Sequence, residues 1–122
     1  MKRIVNTWFL IVFITLLVVN SVFASDKINL AVGIAASSAP GEALPVLQGF
    51  YHYMDDGQLI KKTIEITGGY AWNFRGQRIV EVSVNRVDGA GEYQLFVYEN
   101  NKVVFRTDLI EDTSPVHYKF QP

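Results

Sequence analysis

Cysteine is absent from the 122 residues. That excludes disulfides, thiolate zinc sites and a cysteine nucleophile. Histidine occurs twice, as His52 and His117, so no metal-binding histidine pair can be read from local spacing. Charged residues make up only 19% of the chain against 49% apolar, a balance that excludes disorder of the whole chain. The basic residues are scattered, and Lys61-Lys62 is the one adjacent pair beyond Lys2-Arg3. Without a basic stripe, neither a nucleic-acid backbone nor an anionic lipid surface is an expected partner. No Asn-x-Ser/Thr glycosylation acceptor occurs.

The N-terminus carries the chain's longest apolar run. Lys2 and Arg3 precede twelve uncharged residues from Trp8 to Val19, and Val22-Phe23-Ala24 offers small residues around a processing site. This reads as a signal peptide over residues 1–24, cleaved before Ser25. The competing reading is an uncleaved anchor, for which the run is short of the ~20 residues a spanning helix needs. A cleaved leader makes the protein exported, periplasmic or extracellular, and the short basic start with no glycosylation acceptor favours a bacterial envelope. The membrane then matters only through the leader before cleavage. Residues 25–122 are one domain, too short for a two-domain enzyme.

Beyond Ser25 the apolar period is two, and no segment has helical periodicity. Ile28, Leu30, Val32 and Ile34 share one face of a strand over 27–35. Further strands are expected over 46–54, 58–67, 70–74, 78–87, 92–99 and 102–106, with a short last one over 116–120. Asp56-Gly57 and Asn100-Asn101 are two-residue turns of the kind that needs positive φ at both central positions. Gly68-Gly69 and the loop 88–91 read as further hairpin turns. The resulting class is all-β, a small antiparallel sandwich of about seven or eight strands.

The turns set registers. Around Asp56-Gly57, Tyr53 faces Ile60, Tyr51 faces Lys62, Gly49 faces Ile64 and Leu47 faces Ile66, which makes the core side. His52 lies on the wetter side opposite Lys61. Around Asn100-Asn101, Glu99 faces Lys102 as an exposed ion pair and Tyr98 faces Val103. A hairpin at 88–91 would complete a three-stranded meander with Val80, Val82, Val84, Leu95, Val97 and Val104 as its core face. Its other face would gather Phe96, Tyr98, Val103 and Phe105. Four such side chains left wet forgo roughly 1.5–3 kcal/mol each, so something should cover them. The candidates are the chain's own Val116, Tyr118 and Phe120, or a partner. Tyr70, Trp72 and Phe74, in phase on one strand, read as a core wedge or as a stacking platform.

Reactive constellations are scarce. No serine sits in a Gly-x-Ser-x-Gly elbow, and Asp55-Asp56 diverge in a tight turn. Asp108, Glu111 and Asp112 share a loop but lack the EF-hand spacing of a calcium site. Asp88-Gly89-Ala90-Gly91-Glu92 leads into a strand with acidic flanks, unlike a phosphate cradle. No catalytic residue, metal or cofactor is assigned. The leading reading is a non-enzymatic binding or accessory module of the envelope. Its binding residues would be Phe96, Tyr98, Val103 and Phe105, with a protein or a carbohydrate as partner. One alternative is an assembly subunit that pairs through strand 27–35 as a sheet edge. The other is a small secreted hydrolase built on His52 or His117.

Gly91 to Tyr98, Gly-Glu-Tyr-Gln-Leu-Phe-Val-Tyr, is similar to the Gly-x-Tyr-x-Leu-x-Val strand of many immunoglobulin-like and prepeptidase-C-type sandwiches. The resemblance covers eight residues. It implies a sandwich, immunoglobulin-like or jelly-roll-like, and carries no activity with it.

Overall fold

The computed structural model describes residues 27–122, so the expected leader and its cleavage site lie outside the described residues. The described chain is eight strands: β1 (Ile28–Ser37), β2 (Val46–Asp55), β3 (Gln58–Thr67), β4 (Tyr70–Gly76), β5 (Arg78–Asp88), β6 (Glu92–Glu99), β7 (Lys102–Arg106) and β8 (Val116–Lys119). They form two four-stranded antiparallel sheets, ordered β4-β1-β6-β7 and β3-β2-β5-β8. This is the expected sandwich. Among the described residues no helix is long and apolar enough to cross a membrane.

Alternation along the strands builds the core. β1 contributes Leu30, Val32 and Ile34, and β6 contributes Tyr93, Leu95 and Val97. Leu47, Tyr51, Ile64, Ile79, Val82 and Val84 meet them from the other sheet. Each buried side chain of this size contributes about 1.5–3 kcal/mol. Aromatics close both flanks of the sandwich. Phe74 stands 4.3 Å from Tyr53 and 5.0 Å from Tyr51 on one side. Phe105 and Tyr118 meet at 5.1 Å on the other. Trp72 joins the first group 5.8 Å from Tyr51, so β4 is the core wedge, although its Tyr70 is 56% exposed.

The β2–β3 register agrees pair by pair with the sequence arithmetic, from Met54 opposite Leu59 to Leu47 opposite Ile66. Asp56 and Gly57 have φ of 51° and 78°, as that turn requires. Lys27 clamps the turn to the start of β1, with Nζ 2.7 Å from Asp55 and 2.9 Å from Asp56. These carboxylates hold its ammonium above the usual lysine range.

Other expectations are corrected. β5 and β6 lie in different sheets, so the meander through 88–91 does not form. Gly68-Gly69 carries the chain from one sheet to the other and is not a hairpin. Among the described residues, only β2–β3 and β6–β7 are hairpins. β1 is not an edge: β4 pairs along one side of it and β6 along the other. Edge pairing through 27–35 therefore lacks an open ladder from Leu30 to Ile34.

Bulges move three valines. Val80, Val87 and Val104 are the extra residues where the register shifts. Val80 therefore yields its core place to Ile79, which is fully buried, and Val104 is 45% exposed. Glu99 stands opposite Lys102 as expected. Its carboxylate, however, accepts the Ile79 N–H from the opposite sheet at 3.3 Å.

Candidate binding face and a histidine–glutamate cluster

The bulge at Val104 divides the expected aromatic face. Phe96 and Tyr98 stay on the outer side of the β4-β1-β6-β7 sheet, ring centroids 6.2 Å apart and 18° from parallel. Val103, opposite Tyr98, is 52% exposed. Phe105 turns inward against Tyr118 and packs on the core. β8, the segment that was a candidate cover, pairs with β5 in the other sheet and reaches only Phe105. Phe96 and Tyr98 are therefore left without the C-terminal cover. This division has a measurable consequence. Phe105→Ala should cost about 2–4 kcal/mol, somewhat below a fully buried aromatic truncation, because the ring is partly buried against the core. Val103→Ala should stay within about 0.5 kcal/mol. Urea unfolding of the two variants checks both values, and equal losses would contradict the inward turn.

Beside the aromatic pair the sheet surface is low. Ala31 and Gly33 of β1 point outward between Tyr98 and Phe96 on one side and Asn73 and Ala71 on the other. Small side chains here leave a hollow of about 290 Å³ lined by Ala31, Gly33, Ala71, Asn73, Tyr98 and Asn101. A second hollow of about 300 Å³ continues it and shares Asn73 and Asn101, adding Asn29 and Arg75. Asn101 reaches the groove because its turn is held to β1: Asn100 N–H donates to the Asn29 carbonyl at 2.7 Å. Asn100 and Asn101 have φ of 54° and 64°, which asparagine tolerates well. One residue thus shapes the turn and lines the groove. From the sequence Asn101 is legible as a turn residue but not as part of a groove, and Asn29 and the small floor are not singled out. Their signal was the uncharged outward set of β1, which gains meaning only once its neighbours are known.

The other sheet holds the two histidines. His52 on β2 and His117 on β8 flank Glu81 on β5. His117 Nε2 donates to Glu81 Oε2 at 2.5 Å, and His52 Nδ1 stands 3.9 Å from Oε1. Phe50 stacks on His52 at 4.5 Å. The His117 hydrogen bond, helped by the charges of His117, Lys119 and His52, holds the Glu81 carboxyl below its usual range. The sequence placed both histidines on strand surfaces beside Lys61 and Lys119, but their convergence needed the β5–β8 pairing. Among the described residues, the hydrogen bond to Glu81 is the one side-chain bond made by either imidazole, so no hydroxyl is bonded to them.

A carboxyl depressed in the folded state contributes stability above its unfolded value of 4.5 and loses it as pH falls through the folded value. Glu81→Gln should therefore be less stable than the parent at pH 6. The two should converge below the folded-state pKa. Denaturant unfolding at pH 6, 4.5 and 3 checks this, and a gap that persists unchanged at pH 3 would contradict it.

The loop with Asp108, Glu111 and Asp112 has structural partners. Arg86 donates to the Gly91 and Glu111 carbonyls, each at 2.8 Å, and Asp112 accepts from Ser114 N–H. Among the described residues no three His, Cys, Asp or Glu side chains are placed to hold a metal ion. Comparison of the chain with protein-family models, with curated proteins and with solved structures gives no significant match.

Proposed function

We propose that the protein is an exported, non-catalytic binding module of the cell envelope that meets its ligand on the outer face of the β4-β1-β6-β7 sheet. The observation that carries this reading is the stacked, half-buried Phe96–Tyr98 pair on the outer sheet face, with Tyr98 lining an open hollow beside Ala31 and Gly33. Concave, partly apolar surfaces with a few polar side chains are where ligands bind. The leader reading of residues 1–24 supports export. The hydrolase alternative needs a nucleophile activated by an imidazole, whereas Glu81 is the side chain bonded to His117.

Two measurements test the reading. Full-length protein produced in a bacterial host should be recovered outside the cytoplasm with Ser25 as its first residue. Cytoplasmic retention with Met1 intact would overturn export. The purified protein should be retained by isolated bacterial envelopes, and Phe96→Ala and Tyr98→Ala should reduce retention. Phe50→Ala, on the outer face of the opposite sheet, should not. Retention indifferent to Phe96 and Tyr98, or none at all, would overturn the binding face.

A further inference from the structure

We infer that the groove over β1 takes a neutral glycan chain, with a sugar ring against Tyr98 and its hydroxyls met by the amides of Asn29, Asn73 and Asn101. This rests on the binding-module reading and names the chemistry of its ligand.

Charge is the first argument. The hollow beside Tyr98 is lined by alanine, glycine, asparagine and tyrosine, with no ionised side chain. Arg75 lies in the adjoining hollow, and its guanidinium is engaged by the Lys27 carbonyl at 3.2 Å. Arg106 stands beyond the groove, opposite Phe96. A charged ligand would give up hydration in the hollow beside Tyr98 without meeting a counter-charge there, and the Arg75 guanidinium is the one ionised group lining the adjoining hollow.

Backbone pairing is the second. An extended peptide gains affinity by adding to an open sheet edge. β1 is paired on both sides from Leu30 to Ile34, so the groove floor offers no unpaired ladder to a peptide.

The third argument is what the groove does offer. No side-chain hydrogen bond among the described residues uses Asn29, Asn73 or Asn101. Each amide carries one acceptor and two donors, which complement vicinal hydroxyls that both donate and accept. Tyr98 supplies an apolar ring against which the C–H face of a pyranose can lie. The missing side chain at Gly33 keeps the floor at backbone level beside that ring. A Cβ there would stand 3.7 Å from Tyr98 Cε2, in ordinary contact. Two hollows that share Asn73 and Asn101 form one open trough, suited to successive units of a chain more than to an enclosed monosaccharide.

The test is an NMR amide-shift titration of the purified protein with hexamers of β-1,4-N-acetylglucosamine, β-1,4-glucose and α-1,4-glucose. A galacturonate hexamer and an uncharged Ser/Ala/Gly peptide serve as comparison probes. At least one neutral hexamer should give saturable shifts at Ala31, Gly33, Ala71 and Asn73. Asn73→Ala, on an exposed edge strand, should weaken it about three- to tenfold, the effect of one lost hydrogen bond. Gly33→Val should fill the trough and abolish binding. If the galacturonate or the peptide shifts these amides and the neutral hexamers do not, the glycan inference is overturned. It is equally overturned if no hexamer binds while envelope retention still depends on Tyr98, and in both cases the binding module stands. Retention independent of Phe96 and Tyr98 removes the module reading itself.

Discussion

Gly49→Ala is expected to destabilise the domain by more than ~3 kcal/mol, at or beyond the upper end of ordinary overpacking. An added Cβ at Gly49 would stand 1.9 Å from the Ser83 carbonyl oxygen, 2.8 Å from its carbon and 2.9 Å from Val84 Cα. All three atoms are backbone of β5, so no rotamer change relieves the clash. β5 would have to move away from β2, and β5 also carries Val82 and Val84 into the core. A domain of this size has a total stability of only about 5–14 kcal/mol. Soluble yield and the urea midpoint measure the loss. Gly33→Ala is the matched control, because its new methyl meets nothing closer than 3.7 Å. It should be neutral or slightly stabilising, since alanine restricts the unfolded chain. Similar midpoints for the two variants would show that β5 yields easily.

Tyr93→Ala is the second large effect, at about 3–5 kcal/mol for a fully buried aromatic. Tyr93 is 0% exposed, and its ring comes from β6 into the space between the sheets. Its backbone also exchanges two hydrogen bonds with Ile110, at 3.1 and 2.8 Å, which fix the loop after β7. The hydroxyl contributes little. It donates to the Val84 carbonyl of the opposite sheet at 3.5 Å, near the limit of a hydrogen bond. Tyr93→Phe should therefore cost no more than about 1 kcal/mol. Unfolding curves separate the two. A phenylalanine variant as unstable as the alanine one would show that the hydroxyl, not the ring, joins the sheets.

How much of this was legible beforehand depends on what alternation reports. A strand's period says which side chains are buried, not which strand lies alongside. Val82, Val84, Leu95 and Val97 are buried whether β5 and β6 form a hairpin or face each other across the core. The sequence pattern was satisfied by both, and the structure takes the second. Turn chemistry has the same ambiguity. Asp56-Gly57 gave the complete β2–β3 register, because two positive-φ residues fit a tight hairpin. Gly68-Gly69 looked alike, yet it crosses between sheets. Bulges were invisible because Val-Val in Lys102-Val103-Val104-Phe105 gives no sign of which valine is extra. That one residue decided the direction of Phe105. The candidate site was accordingly half legible: Phe96 and Tyr98 announced themselves as apolar residues on an outward face. The groove beside them depends on β4 and β6 flanking β1, and no local pattern encodes those neighbours.

The central place of β1 has a consequence for biogenesis. β1, the first of the described strands to be synthesised, needs two partners made much later. Leu30 lies opposite Phe74 on one side and Glu99 on the other. A nascent polypeptide cannot complete that sheet until the residues of β6 have emerged. Such distant pairing makes folding late and slow compared with folds built from neighbouring segments. Until then, Ile28 to Ile34 is an unguarded β-prone stretch, which an attendant chaperone would have reason to shield.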